Sequence, residues 1–223
     1  MSLIKLFRFI TRYFYLLFVN KQAKSVFKEI YHSNFWGSSE SVSGRGSTIE
    51  ETALVIELIN DLILKFNIKS ILDIPCGDFN WMNKVNLSSV SYIGADIVEE
   101  IIDKNNFKFN SSNISFVVKD LINDPLPQCD LIIVRDCLVH LSNKDIQKCL
   151  INIKNSGSKY LLATSFPSFS HNNNIVTGEW RPLNLQRKPF NLPPPLEIFR
   201  ERILDDSDLY NCKSLMLWDL SEL

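Results

Sequence analysis

Glycine is scarce in this sequence, seven of 223 residues, and no G-x-G-x-x-G run occurs in it. That removes the usual fingerprint of a dinucleotide site, in which glycines let the backbone approach a pyrophosphate. Five cysteines (Cys76, Cys129, Cys137, Cys149, Cys212) are an odd number without a C-x-x-C pair. Three lie inside apolar runs, where a thiol packs as a small hydrophobe, so the pattern suits a reducing cytosol and offers no zinc site. Three histidines (His32, His140, His171) are too scattered for H-x-x-x-H, and no metal is expected. A formal net charge of −1 supplies no field that would gather nucleic acid, so no nucleic-acid partner is expected. Long uncharged apolar runs are missing too. The longest near the N-terminus, 13–20, is far shorter than the roughly 20 residues of a spanning helix, and no small-residue cleavage site follows it. No internal repeat is visible.

What is present is the mixture of a soluble globular chain: 45% hydrophobic and 22% charged residues, enough for one large domain. In LIKLFRFITRYFYLLFV (3–19), Lys5, Arg8 and Arg12 fall on one helical face opposite Leu, Phe and Ile. Such an amphipathic helix can pack on the domain or lean on the inner membrane surface. From 50 to 165 apolar β-type runs alternate with helical patterns: strands over 68–74, 90–96, 114–120, 130–136 and 159–166, helices over 50–66, 97–106 and 142–155. The alternation predicts an α/β fold, doubly wound on a mostly parallel sheet. IFRERIL and KSLMLWDL close the chain as an antiparallel pair at one edge.

The first four strands end in or next to Asp73, Asp96, Asp120 and Asp136. Ligands of open parallel sheets sit beyond the carboxyl ends of the strands, so these acids border one site, although each alone could be a turn cap. Between 166 and 197 the texture changes to six prolines and an Asn run without helical or strand period. A loop this long is a candidate substrate lid or an excursion covering a sheet edge. His171, Trp180, Arg181 and Phe190 are its candidate acceptor-binding residues: tryptophan stacks on a flat or sugar-like face, and arginine grips phosphate or carboxylate unless it pairs with Glu179.

The first strand runs into the turn ILDIPCGDFNWM (71–82). A strand, a glycine turn and a helix start offer free backbone N–H groups to a ligand. Only Gly77 is available there, Pro75 and Phe79 stand where further glycines would be needed, and Asp78 repels anions. The turn therefore suits a cationic ligand.

LDIPCGDFNWM resembles the first motif of the class I S-adenosylmethionine-dependent methyltransferases, keeping its acid, Asp73, and one glycine, Gly77. The order of later segments agrees. Asp96 in YIGADIVEEII, followed by Ile97, stands where that family places its ribose-binding acid, 23 residues after Asp73. Asp120 and Leu121 in FVVKDLINDPLP resemble its adenine contacts, and Arg135 and Asp136 in CDLIIVRDCLVHLS its residues near the methyl group. The resemblance implies a seven-stranded Rossmann-like methyltransferase fold with an antiparallel edge strand. It implies S-adenosyl-L-methionine as cofactor, held by these residues with Pro75, Cys76, Asp78 and Trp81.

FWGSSESVSGRGSTIEETA, PCGDFNWM, RDCLVHLS, WRPLNL and LMLWDL further resemble a bacterial methyltransferase group of capsule and surface-glycan loci. That likeness implies a covering segment over 1–49, a catalytic domain over 50–223 with a substrate loop over 166–197, and a cytoplasmic enzyme. Its partner would be a small-molecule or glycan acceptor, such as a sugar, nucleotide-linked or phosphoramidate intermediate of capsule biosynthesis. Ser47 and Thr48 become candidates for the cofactor's carboxylate, although either before Glu50 or Glu51 also makes a capping box. His140 is the first candidate base for an oxygen acceptor and Asp136 the second, with a capping role open to His140. An NAD(P)-dependent oxidoreductase and a catalytically silent binding domain are the alternatives.

Overall fold

A computed structural model of the protein describes residues 22–201 and 212–223. The helix expected over 3–19 lies outside them. Seven strands form one sheet: β1 (Ser70–Asp73), β2 (Ser91–Asp96), β3 (Ile114–Val118), β4 (Leu131–Val134), β5 (Tyr160–Ser165), β6 (Glu197–Arg200) and β7 (Ser214–Asp219). Their order is β3-β2-β1-β4-β5-β7-β6. Pairing is parallel from β3 through β5, and β7 runs antiparallel to both β5 and β6. This is the predicted mostly parallel sheet with antiparallel pairing at one edge. The strands are shorter than the apolar runs, because the terminal residues of each run turn out of the ladder to form the loops.

The sheet is buried on both faces, and its period-2 alternation sorts side chains into two layers. Leu72, Ile132, Val134, Leu161 and Ala163 point to one face, where they meet Ile146, Cys149 and Ile153 of helix α4 (Asn143–Asn155). Ile71, Leu131, Ile133 and Leu162 point to the other, against Val55, Ile59 and Leu62 of α2 (Ile49–Lys65) and Ile102 of α3 (Glu99–Phe109). All four residues of β4 are buried, as expected for a central strand. The helices begin at side-chain caps: Thr48 accepts from the Glu51 amide and Ser142 from the Asp145 amide.

One element was not foreseen. Helix α1 (Ala23–His32) buries Val26 and Ile30, four residues apart, and lies against α3 through a Lys28–Glu100 ion pair at 2.6 Å and a Lys104 Nζ bond to Tyr31 Oη at 2.7 Å. Its apolar stripe is only two residues wide, too short to stand out beside the longer run before it.

The proline-rich segment forms neither helix nor strand through residue 196, yet it is packed. Asn184 donates to the carbonyls of Pro167 and Phe169, Asn172 donates to those of Asn184 and Lys188, and Leu183 and Leu185 are fully buried. Asparagine amides here supply the backbone partners that a regular element would have supplied. Trp218 of β7 donates its indole N–H to the Pro193 carbonyl at 2.9 Å and is 1% exposed, which locks this segment to the sheet. Trp218→Ala should therefore cost about 3–5 kcal/mol in urea denaturation; a cost below about 1 kcal/mol would show that the segment closes the core without it. Among the described residues no helix is long and apolar enough to cross a membrane.

Candidate functional site

A cavity of about 380 Å³ opens at the carboxyl ends of β1, β2 and β4. The parallel register sets Asp73 beside Gly94 of β2 and beside Ile133 of β4, so Asp73 and Asp96, the last residues of β1 and β2, reach the same cavity. Asp73 is 2% exposed and accepts from Tyr92 Oη at 2.8 Å. Burial pushes its carboxyl up to about 7, against the opposing influence of the Tyr92 bond and the nearby Arg135 charge. Asp96 accepts from the Gly77 amide at 3.2 Å and the Val98 amide at 2.9 Å, and burial raises it to about 6. Two buried acids titrating near neutrality form a wall that a cation would hold in the charged state.

The turn after β1 solves its shortage of glycine in an unexpected way. Gly77 has φ +54°, and a Cβ there would stand 2.1 Å from Ser43 Oγ and 3.2 Å from Ser43 Cβ, so any side chain at this position would have to displace Ser43. Phe79 also has positive φ, 59°, but its ring turns beneath the turn, into a cluster with Tyr92, Phe109 and Phe116. It therefore does not obstruct the cavity; Pro75, Cys76 and Trp81 line it. The helix expected directly after the turn is reduced to a single 3-10 turn, Met82–Lys84, so this turn itself brings no helix N-terminus to the site.

Asp78 has a different role from that of a ligand contact alone. Its carboxylate accepts from Ser41 Oγ and from the Val42 amide, both at 2.9 Å, which straps residues 41–47 across the cavity. Glu40 reinforces the strap by accepting from Asn80 Nδ2 and the Ile49 amide, each at 2.8 Å. Ser47 lines the cavity, whereas Thr48 does not: its hydroxyl is the cap of α2, which corrects its assignment to the cofactor's carboxylate.

Beyond β4 lies a buried charge cluster. Arg135 donates to Glu201 Oε2 through Nη2 at 2.7 Å and Nε at 3.2 Å, and to the Gly46 carbonyl at 2.9 Å, with its guanidinium 5.5 Å from the Trp81 ring centre. Lys213 Nζ stands 2.6 Å from Asp136 Oδ2 and 3.3 Å from Glu201 Oε2. Burial works against ionised Asp136, but Lys213 and Arg135 outweigh it and hold its carboxyl down to about 2. A carboxylate held by Lys213 and Arg135 is a weak base for a hydroxyl proton, which weighs against the base role considered for Asp136.

His140 ends the turn Leu138–His140 and lines the cavity. Its Nδ1 lies 2.8 Å from the Glu179 carbonyl, which can only accept, so Nδ1 carries the proton and Nε2 the lone pair. Burial lowers its pKa, which keeps the ring neutral at pH 7. The Trp36 ring lies 5.4 Å from it, centre to centre.

Asp120 and Leu121 line the cavity as expected, although Asp120 spends both oxygens locally, on the Ile122 amide and Asn123 Nδ2. Trp180 lines it, against Phe166. The other loop candidates do not. Arg181 is 5% exposed and donates to the carbonyls of Leu138, Leu141 and Asn173, so it fastens the loop to the turn bearing His140 and is not free to grip an acceptor. Phe190 packs on the core, and exposed His171 contacts Ser170. Sequence reasoning missed Tyr31, Trp36, Arg45, Glu201 and Lys213, all on the cavity wall. The signal available for Lys213 and Glu201 was a charge beside each strand of the closing pair.

This strand order and pairing define a Rossmann-like methyltransferase fold. Residues 71–156 match a family model described as "Methyltransferase domain". Among solved structures, the chain is similar to the N-methyltransferase NodS from Bradyrhizobium japonicum WM9 in complex with S-adenosyl-L-homocysteine, with TM-score 0.61 and 13% identity over 89% of this chain and 98% of that one. Magnesium protoporphyrin IX methyltransferase from Synechocystis PCC 6803, with bound S-adenosylmethionine, gives TM-score 0.60 and 9% identity over 90% and 98%. Human N-acetylserotonin methyltransferase, in complex with S-adenosylmethionine, gives 0.60 and 15% over 91% of this chain and 61% of that one. No curated protein sequence matches the chain.

Gly77→Ala brings the new methyl into Ser43 and strains a left-handed backbone. The variant should lose the strap before it loses the fold: limited proteolysis should cut within 38–48 at least tenfold faster than in the wild type. Equal cleavage rates would detach the strap from this glycine.

Proposed function

We propose that the protein transfers the methyl group of S-adenosylmethionine to a hydroxyl oxygen of a small-molecule or glycan acceptor. The observation that carries the reading is one cavity shared by the buried acids Asp73 and Asp96, the Gly77 turn and the neutral His140. The residues fit this cofactor. Buried carboxylates of raised pKa are relieved by a cation without phosphate, and Asp96 retains acceptor capacity for a diol. A pyrophosphate would meet Asp73, Asp78 and Asp96 instead, which weighs against a dinucleotide oxidoreductase.

Bound in this cavity, the cofactor supplies a methyl carbon whose bond to the sulfonium sulfur breaks with the electron pair leaving on sulfur. The chain's own work is alignment and proton handling. The strap held by Asp78 and Glu40 excludes water, and Trp36 and Trp180 offer flat faces to an acceptor. His140 Nε2 takes the hydroxyl proton as the carbon–oxygen bond forms, while the Glu179 carbonyl fixes the ring through Nδ1. The likeness of GRGST, RDCLVHLS and LMLWDL to surface-glycan methyltransferases makes capsule intermediates the first acceptors to try.

Calorimetry should show micromolar binding of S-adenosylmethionine and its demethylated product, and none of NADH; binding of NADH alone would reverse the assignment. A bound cation favours the ionised form of both acids and so lowers their pKa values. Affinity for S-adenosylmethionine should therefore rise from pH 5.5 to 7 with release of protons, and a flat profile would remove Asp73 and Asp96 from the cofactor site. His140→Ala should lower kcat at least tenfold while the cofactor Kd changes less than twofold. Wild-type turnover in that variant would end the base role.

A further inference from the structure

Glu201 presents an anomaly within the charge cluster. Its Oε2 accepts from Arg135 Nε and Nη2 and is ion-paired with Lys213 Nζ, whereas its Oε1 is buried and has no hydrogen-bond partner among the described residues. The side chain is 3% exposed and lines the cavity that His140 also lines. A buried carboxylate oxygen without a donor is costly, and one that faces a cavity is open to a donor from water or from a bound molecule. The donor that suits it is constrained on both sides. An ammonium at Oε1 would lie next to Arg135 and Lys213; a phosphate would face the carboxylate itself.

The charge balance of the cavity points the same way. Its wall carries seven carboxylates against four basic side chains, a formal excess of three negative charges with His140 neutral. Both basic groups near Glu201 are already spent on Asp136 and Glu201, and Arg181, the arginine best placed in sequence to hold an anion, is spent on backbone carbonyls. Among the described residues Arg45 is paired with Glu51 and Lys119 is bound to the Pro125 carbonyl, so an anionic acceptor finds no free cation beside Glu201, whereas a hydroxyl donor finds an unused oxygen.

We propose that Glu201 is a specificity-determining residue that reads an uncharged polyol: Oε1 accepts a hydrogen bond from one hydroxyl of a sugar-like acceptor while another hydroxyl of the same molecule is presented to His140. The reading rests on methyl transfer as proposed above. It implies that the portion of the acceptor inside the cavity is neutral, with any phosphate left outside.

The test uses the full chain, labelled S-adenosylmethionine, and glucose, galactose, mannose and N-acetylglucosamine alongside their 6-phosphates and glucosamine. Transfer to at least one neutral sugar should exceed that to its phosphate tenfold or more in kcat/KM. Glu201→Asp keeps the charge that holds Arg135 and Lys213 but withdraws the carboxylate by one methylene; it should raise KM for the neutral sugar at least tenfold, with kcat and the cofactor Kd within threefold. Equal or better use of the phosphates or of glucosamine, an unchanged KM in the variant, or cofactor binding without transfer to any neutral sugar would each overturn the proposal while leaving the methyltransferase reading in place. Failure of S-adenosylmethionine to bind would remove both. The wild-type preference is read without the variant, so a poorly folded Glu201→Asp protein does not shield the proposal.

Discussion

The parallel pairing of β1 with β2 on one side and β4 on the other is the constraint on which the site depends. In a parallel sheet every strand delivers its carboxyl end to the same edge, so acids far apart in sequence converge without any contact between their loops. Asp73 ends β1 in register with Gly94, two residues before Asp96 at the end of β2. A one-residue slip would turn Asp73 to the opposite face and bring Ile74 into its place. The hydrophobic alternation of β1 and β4, with Leu72 and Ile132 against α4 and Ile71 and Leu131 against α2, is what forbids that slip. Core packing and site geometry are thus fixed by the same register.

The sheet was legible because its buried strands are continuous apolar runs, LIIV above all, and because Thr48 and Ser142 mark helix starts by their chemistry. The acids at the strand ends were legible for the same reason. Side-chain direction was not. Phe79 reads in sequence as an obstruction, but a positive φ turns its ring into the aromatic cluster below the turn. Arg181 reads as an anion grip, but three carbonyls around it compete for the guanidinium. Glu201 and Lys213 were hidden because their role arises only when β6 and β7 pair beside β5, a contact between segments that share no local pattern with β4.

The strap and the charge cluster meet at Arg135. One guanidinium holds the Gly46 carbonyl of the strap, Glu201 at the end of β6, and a place over the Trp81 ring. A buried ion-pair cluster is a weak source of stability, since desolvation offsets much of the attraction. Its value here is positional: two carboxylates and two cations, paired with one another, fix the ends of β4, β6 and β7, and Arg135 ties them to the covering segment through Gly46. Removing a single member leaves the cluster with an unbalanced buried charge, which is costlier than a displacement that keeps the charge.

Asp136 shows why that rigidity matters for chemistry. It has φ +51°, an unfavourable backbone state for aspartate, and its amide bonds to Thr164 of the neighbouring strand. The carboxylate so placed is claimed by Lys213 rather than left to act as a base. A base of pKa about 2 beside a neutral histidine separates two functions that a single free carboxylate would confuse. The permanent anion favours the imidazolium once His140 has accepted a proton, and His140, kept neutral beforehand by burial, is the group able to accept it. The cations of the cluster hold Asp136 charged, and the cavity around His140 stays short of free positive charge. This division of charge is what leaves the acceptor side open to neutral hydrogen-bond donors.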